Sequence, residues 1–153
     1  MKLRIICGIL ILVIVAGCNT NNTNGNIPQP TGGKIVTIYK STSCGCCVGY
    51  IAELERQGFQ VEIVKLTDMS PIKQKYNIPR NMESCHTAVI EGYFVEGHVP
   101  IEAINEMLEE KPDIDGIALP DMPSGSPGMP GQKTKSWTIY SLSEGEPTEF
   151  ITI

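Results

Sequence analysis

The chain has 153 residues, six cysteines and a formal net charge of −5, from 12 basic and 17 acidic side chains. We do not expect so acidic a chain to bind nucleic acid through phosphate contacts, or anionic lipid headgroups through charge. Its length suits one domain with one core, and the sequence shows no internal repeat at a fixed period.

The first 17 residues are typical of an export signal. Lys2 and Arg4 precede an apolar run that is too short to span a bilayer comfortably as a helix. The run ends in valine, alanine, glycine and Cys18, which resembles the lipobox of prokaryotic lipoproteins. We therefore predict a lipoprotein signal peptide over 1–17, lipidation of Cys18, and a membrane-anchored, extracytoplasmic protein in the periplasm or at the cell surface. The alternatives, a plain secretory signal or an uncleaved anchor helix, give the same side of the membrane.

An asparagine-rich segment, residues 18–33, follows the signal and contains two prolines. It has almost nothing to bury, so we predict a disordered tether between the lipid and the domain. Removing residues 1–17 takes away two basic residues and no acidic one, which lowers the net charge to −7. The remaining residues, 34–153, are predicted to form one metal-binding domain.

The domain begins with a strand, a cysteine turn and a helix. Residues 34–39 are rich in β-branched and aromatic side chains, which predicts a buried strand. The turn Cys44-Gly45-Cys46-Cys47 follows it. From Cys47 to Gln57 apolar side chains recur at helical spacing, with Gly58 where a C-terminal cap is expected. Residues 61–64 then mark a second strand.

The next elements are a short helix, a hairpin and a longer helix. Ser70 is predicted to cap the short helix, which ends before Pro79. Residues 86–90 and 93–96 form a predicted hairpin, and Pro100 opens a helix with one apolar face. The order is β-α-β, short helix, β-β-α, which is the thioredoxin-like pattern of the α/β class.

The C-terminal third is predicted as a long loop and a terminal hairpin. Residues 112–135 are rich in glycine, proline and serine without an apolar period, and a loop of this length is usually functional or disordered. Strand-like segments at 137–142 and 150–153 add a C-terminal β-hairpin to the predicted sheet. In such folds the loop entering the third strand packs beside the first turn, so Cys85 and His86 are expected to meet the cysteine turn.

Four cysteines belong to the predicted domain, namely Cys44, Cys46, Cys47 and Cys85. Helix N-termini favour negative charge, so the cysteines at the start of the first helix should have lowered thiol pKa values. Thiolates attack disulfides and bind soft ions such as Cu(I). Two structural disulfides are the usual alternative in an exported domain. However, bridges between Cys46 and Cys47 or between Cys44 and Cys46 would be strained.

Two histidines and two methionines are further candidate ligands. His86 adjoins Cys85, and His98 begins the last predicted helix. Met122 and Met129 are the first and last residues of the segment 122–129 in the long loop. Each of these residues also has a purely structural explanation, since buried histidines find hydrogen-bond partners and methionines fill gaps in a core.

Four segments together resemble the CopG-like copper-resistance family, formerly a domain of unknown function. They are Ser43 to Cys47, Ser84 to Val89, Val95 to Pro100 and Met122 to Met129. The resemblance implies a thioredoxin-like fold, an exported location and copper held by the cysteine turn. It also suggests a redox role in copper detoxification. By position it implies a primary set of thiolates with candidate neighbours, in order Cys44, Cys46, Cys47, Cys85, His86, His98, Met122 and Met129.

The leading interpretation is a lipid-anchored Cu(I)-binding protein of copper resistance, with Cys44, Cys46 and Cys47 as redox candidates. Its expected partners are copper ions, the membrane through the anchor, and a copper-export or copper-chaperone protein. One alternative is a metal-independent thiol-disulfide oxidoreductase, because Cys44 and Cys47 have the C-x-x-C spacing. Another is a structural zinc site made by Cys44, Cys47, Cys85 and His86. Whether the protein is an enzyme stays open at this point.

Overall fold

The computed structural model describes residues 33–153, so the predicted signal peptide, tether and lipidated Cys18 lie outside the described residues. Its elements, in chain order, are β1 (Ile35–Ser41), α1 (Cys47–Arg56), β2 (Gln60–Leu66), α2 (Ser70–Lys75), β3 (His86–Ile90), β4 (Tyr93–Glu96), α3 (Ile101–Glu110), β5 (Gly116–Ala118), β6 (Thr138–Ser143) and β7 (Glu146–Thr152). No helix within residues 33–153 has the length and apolar character needed to cross a membrane.

The strands form one seven-stranded sheet in the order β2-β1-β3-β4-β5-β6-β7. Strands β1 and β2 are parallel and are joined by α1, while β3 pairs antiparallel with both β1 and β4. The predicted mixed α/β class, element order and terminal hairpin are therefore confirmed. In this parallel β-α-β unit, the chain passes from the end of β1 into the start of α1. The cysteine turn lies between these two elements.

The predicted continuous loop over 112–135 is wrong in one place, because β5 interrupts it. This strand pairs with β4 and β6, and its central residue Ile117 is fully buried. A side chain at Gly116 would collide with the carbonyl oxygen and ring of Phe94, so only glycine fits this close approach. Three residues are too few to show a period of two, which is why the pattern missed the strand.

The cap predicted for α2 is also wrong. Met69 is the N-cap, and Ser70 is the first helical residue, with its backbone N–H donating to Asp68 Oδ1 at 2.9 Å. The Asp68 carboxylate thus accepts from one free amide of the first turn, and the amides of Ile72 and Lys73 donate to the Met69 carbonyl.

The core lies on both faces of the sheet. One cluster packs α1 and α3 against the strands through Tyr50, Leu54, Ile104 and Met107. The smaller cluster is made of residues that follow α2 in the chain, and Met82 is one of them. Met82 and Met107 are thus core side chains, and the cysteine turn lies at one end of the larger cluster.

Candidate metal and redox centre

Cys44 and Cys47 form a disulfide across the turn between β1 and α1, with Cα atoms 5.7 Å apart. Cys46 and Cys85 are free. The described residues therefore contain one disulfide rather than the two of the structural alternative. The strain argument applied to neighbouring cysteines, whereas this bond uses the C-x-x-C spacing. Cys47 is fully buried as the first residue of α1, and Cys44 is partly exposed.

Cys85 meets the cysteine turn, as the sequence predicted. Its Sγ lies 3.8 Å from the Sγ of Cys46 and 3.8 Å from the Sγ of Cys47. The Sγ atoms of Cys44 and Cys46 are 3.6 Å apart. Two sulfurs each about 2.3 Å from one tetrahedral ion are about 3.8 Å from each other, so the spacing suits ligands of a shared metal.

The thiol of Cys85 keeps its proton in the metal-free protein. Burial raises its pKa to about 12, and the neighbouring Cys46 thiol adds to the shift. A metal ion bound here would displace that proton, which couples binding to pH. The lowered thiol pKa predicted for cysteines at the helix start does not apply to Cys47 in the disulfide form, because Cys47 then has no thiol proton.

His98 presents an imidazole nitrogen to Cys85. Its Nδ1 lies 2.7 Å from the carbonyl oxygen of Pro127 and, as the donor to that carbonyl, carries the ring proton. The other nitrogen, Nε2, is then unprotonated and lies 3.2 Å from Cys85 Sγ. Burial lowers the pKa of His98, which favours the neutral form. A backbone carbonyl that selects the tautomer is the usual support of a metal-ligating histidine.

His86 is fully buried behind the sulfurs. Its Nδ1 lies 3.3 Å from Cys85 Sγ and 3.6 Å from Cys47 Sγ. Burial, together with positive charge on neighbouring groups, lowers its pKa to about 3, so the ring is neutral at physiological pH. Its Nε2 has no hydrogen-bond partner among the described residues. A neutral imidazole facing two sulfurs has the form that binds metal.

Two overlapping groups of donors could hold a metal ion, each with its atoms within 4.8 Å of one another. The first is Cys44, Cys46, Cys47 and Cys85, and the second is Cys85, His86 and His98. Cys85 is common to both. In the loop, Met122 is 36% exposed and Met129 is half-buried. The ligand roles of these two methionines stay predictions.

Comparisons with known proteins identify the family of this chain. Two solved structures titled copper resistance protein copG, forms 1 and 2, are each 38% identical to this chain. The similarity covers 79% of this chain and 98% of theirs, with TM-scores of 0.72 and 0.73. The chain belongs to the CopG-like copper-resistance family. Residues 82–129 of this CopG-like chain also match the family model described as protein of unknown function DUF411, and no curated protein matches.

The family model covers three of the four segments that suggested the resemblance. It includes Cys85, His86 and His98 together with both loop methionines. The cysteine turn lies outside the matched residues.

A buried ion pair that sequence analysis missed holds the CopG-like site in place. Lys73 of α2 forms a salt bridge with Glu96 of β4, and the two side chains are 5% and 0% exposed. Lys73 also donates to the Ser84 carbonyl at 3.1 Å, while the Ser84 N–H donates to Glu96 at 2.5 Å. Both backbone polar groups of the residue before Cys85 are thus held. No local pattern pairs Lys73 with Glu96, since they are 23 positions apart.

The long loop reaches the CopG-like site by a close backbone approach. Gly128 has a φ of +78°, and a side chain there would collide with the backbone of Gly49 and Tyr50 in α1. This approach places the carbonyl of the neighbouring Pro127 within hydrogen-bond distance of His98 Nδ1.

Replacing Gly128 with alanine should therefore displace the loop and weaken the His98 support. We expect a loss of about 1 to 3 kcal/mol in the free energy of unfolding, from steric strain and the positive φ. Urea denaturation of Gly128→Ala measures it, with Gly45→Ala as the matched control because a side chain at Gly45 meets nothing within 4 Å. Equal losses in the two variants would contradict the packing argument.

Proposed function

We propose that this protein binds Cu(I) in copper resistance, outside the cytoplasm and anchored to the membrane through lipidated Cys18. The observation that carries the proposal is that Cys85 Sγ lies within 3.2 to 3.8 Å of two sulfurs and two imidazole nitrogens. Soft sulfur with imidazole is a donor set that suits Cu(I). The similar solved structures, both titled copper resistance protein, support copper as the metal. A copper-export or copper-chaperone protein is the proposed exchange partner.

The oxidation state of the Cys44–Cys47 pair is proposed to control how many sulfurs are available. In the disulfide form the free donors of the two groups are Cys46, Cys85, His86 and His98. Reduction adds two thiols next to them. Zinc shows no redox chemistry in proteins, so a redox pair inside the donor set favours copper over the zinc alternative.

The reduced pair also holds the two electrons needed to change the oxidation state of copper. Two Cu(II) ions would accept one electron each and become Cu(I), while Cys44 and Cys47 form the disulfide and release two protons. The free thiols and imidazoles that remain would then hold the product. This redox step is part of the proposal and rests on the contact between the disulfide sulfurs and free cysteines.

Anaerobic Cu(I) titration of the purified full chain against a competing chelator tests the function. We expect the reduced protein to bind more tightly than the oxidised protein, by at least about tenfold, because two more thiolates take part. A variant with Cys44, Cys46 and Cys47 all changed to serine should lose most of the affinity. Unchanged affinity in that variant would rule out the site.

A metal-independent thiol-disulfide oxidoreductase is the second candidate. The disulfide at the start of α1 with C-x-x-C spacing favours it. Metal-free protein that reduces a model disulfide catalytically, with loss of turnover in Cys44→Ser or Cys47→Ser, would support this function instead. The free Cys46 thiol has no necessary role in such exchange and distinguishes the two proposals.

A further inference from the structure

A groove of about 450 Å³ opens beside the cysteine turn. It lies where β1 and β2 end and α1 begins. Its apolar lining comes from Val48, Ile51 and Ile63, and its far end is the turn that contains Cys44. The volume is in the range of small-molecule sites. The proposed copper-binding function uses Cys44 but leaves the rest of this groove unassigned.

The groove contains a buried lysine for which residues 33–153 supply no anionic partner. Lys40 is 5% exposed, and its Nζ donates to the carbonyl of Ser41 at 3.0 Å. Among residues 33–153 no carboxylate forms a salt bridge with it, although Lys34, Arg56 and Lys73 each have one. Buried charges in proteins are normally paired, so an unpaired lysine in a groove indicates an anionic ligand.

A second lysine lies beside the first. Lys65 of β2 is the register partner of Lys40 in the parallel pair, so both side chains project from the same face of the sheet. Both line the groove, and no aspartate or glutamate of the described residues does. On a chain with a net charge of −5, this local positive charge selects for an anion.

We propose that the groove binds a small thiol carrying one or more carboxylates, and that this thiol reduces the Cys44–Cys47 disulfide. The lysines would hold the carboxylates and the apolar wall would cover the carbon skeleton. Cys44 lines the groove and is partly exposed, whereas Cys47 is fully buried. The sulfur open to attack is therefore that of Cys44.

The exchange consumes two molecules of the thiol. The first thiolate bonds to Cys44 Sγ, the bond to Cys47 breaks, and its electron pair goes to Cys47 Sγ at the start of α1, where the helix dipole favours a thiolate. A second thiolate then attacks the sulfur of the first molecule, which releases Cys44 as a thiolate. The small thiol leaves as its disulfide, and its two protons pass to the cysteines. The physiological consequence, recovery of the copper-binding form, rests on the proposed function, but the reduction itself needs no copper.

Metal-free full chain tests this with three reductants: mercaptosuccinate, which is anionic, 2-mercaptoethanol, which is neutral, and 2-mercaptoethylamine, which is cationic. Alkylation and peptide mass spectrometry follow the appearance of free Cys44 and Cys47. The ratio of the mercaptosuccinate rate to the 2-mercaptoethanol rate reports charge selection. We expect Lys65→Gln and Lys40→Met each to lower that ratio by about fivefold. In wild type, succinate should slow reduction by mercaptosuccinate, and the cationic thiol should be disfavoured.

Lys135→Gln is the matched control, since it removes one exposed lysine and changes the net charge equally. An unchanged ratio in Lys65→Gln, equal to that of Lys135→Gln, would overturn the proposal. Lys65 is exposed, so its variant decides the matter even where Lys40→Met fails to fold. Because copper is absent throughout, failure here leaves the Cu(I) titration unaffected, and the reverse also holds.

Discussion

Replacing Cys85 with serine should weaken Cu(I) binding by at least about 100-fold in both the reduced and the disulfide form. Cys85 Sγ is the atom common to both donor groups, in contact with the sulfurs of Cys46 and Cys47 and with His86 and His98. Mutation of a residue that only supports a metal ligand typically lowers metal affinity 10- to 100-fold. Loss of the shared ligand itself should lower the affinity more. A serine hydroxyl is a hard donor and does not replace a thiolate for Cu(I).

The competition titration described above measures this effect with two comparison variants. Met82→Leu removes a sulfur three residues before Cys85 in the sequence, one that packs in the smaller core cluster, and it should leave the affinity unchanged. Cys44→Ser should bind Cu(I) more weakly than the reduced wild type. It should differ less from the disulfide form of the wild type, in which Cys44 contributes no free thiol. Equal affinities in Cys85→Ser and Met82→Leu would show that Cys85 is not a ligand.

Replacing Lys73 with methionine should lower the free energy of unfolding by about 3 to 5 kcal/mol. Removing one partner of a buried ion pair leaves the other charge without compensation. Glu96 is fully buried, and burial raises the pKa of its carboxyl even with Lys73 beside it. Without Lys73 that pKa should rise further, so the loss is expected to be greater at pH 8 than at pH 5, where the carboxyl is closer to protonation.

Urea denaturation at the two pH values measures this loss, and a surface ion pair provides the control. Arg56 and Glu53 pair on α1 with side chains 67% and 24% exposed, so Arg56→Met should barely move the unfolding midpoint. The double variant Lys73→Met with Glu96→Gln should recover part of the loss, since no unpaired charge remains. A single Lys73→Met variant as stable as Arg56→Met would contradict the role of the pair.

Local patterns account for most of the fold. The β-branched run in β1, the helical spacing in α1 with Gly58 after it, and the apolar face of α3 are short-range signals, and the structure confirms each of them. The strand β5 was missed because three residues carry no period, and its place between β4 and β6 is set by pairing along both edges. Pairing of that kind is a property of the sheet rather than of the segment.

The candidate site divides in the same way. Residue types and spacing singled out Cys44, Cys46, Cys47 and Cys85, and the order of the elements predicted that the two groups meet. Which two cysteines form the disulfide, and which stay free, depends on side-chain directions in the turn. Spacing alone left several pairings open.

By itself, the sequence determined the α/β order of the elements and a sulfur-rich donor set, and it predicted an export signal. Each of these depends on neighbours along the chain. Tertiary structure alone decided the tautomer of His98, through a carbonyl 29 positions away, and the burial of the Lys73–Glu96 pair. It also left Lys40 buried, with no carboxylate of residues 33–153 paired to it. Protonation, charge pairing and ligand access depend on distance in space and on exclusion of water, and only the folded chain sets these.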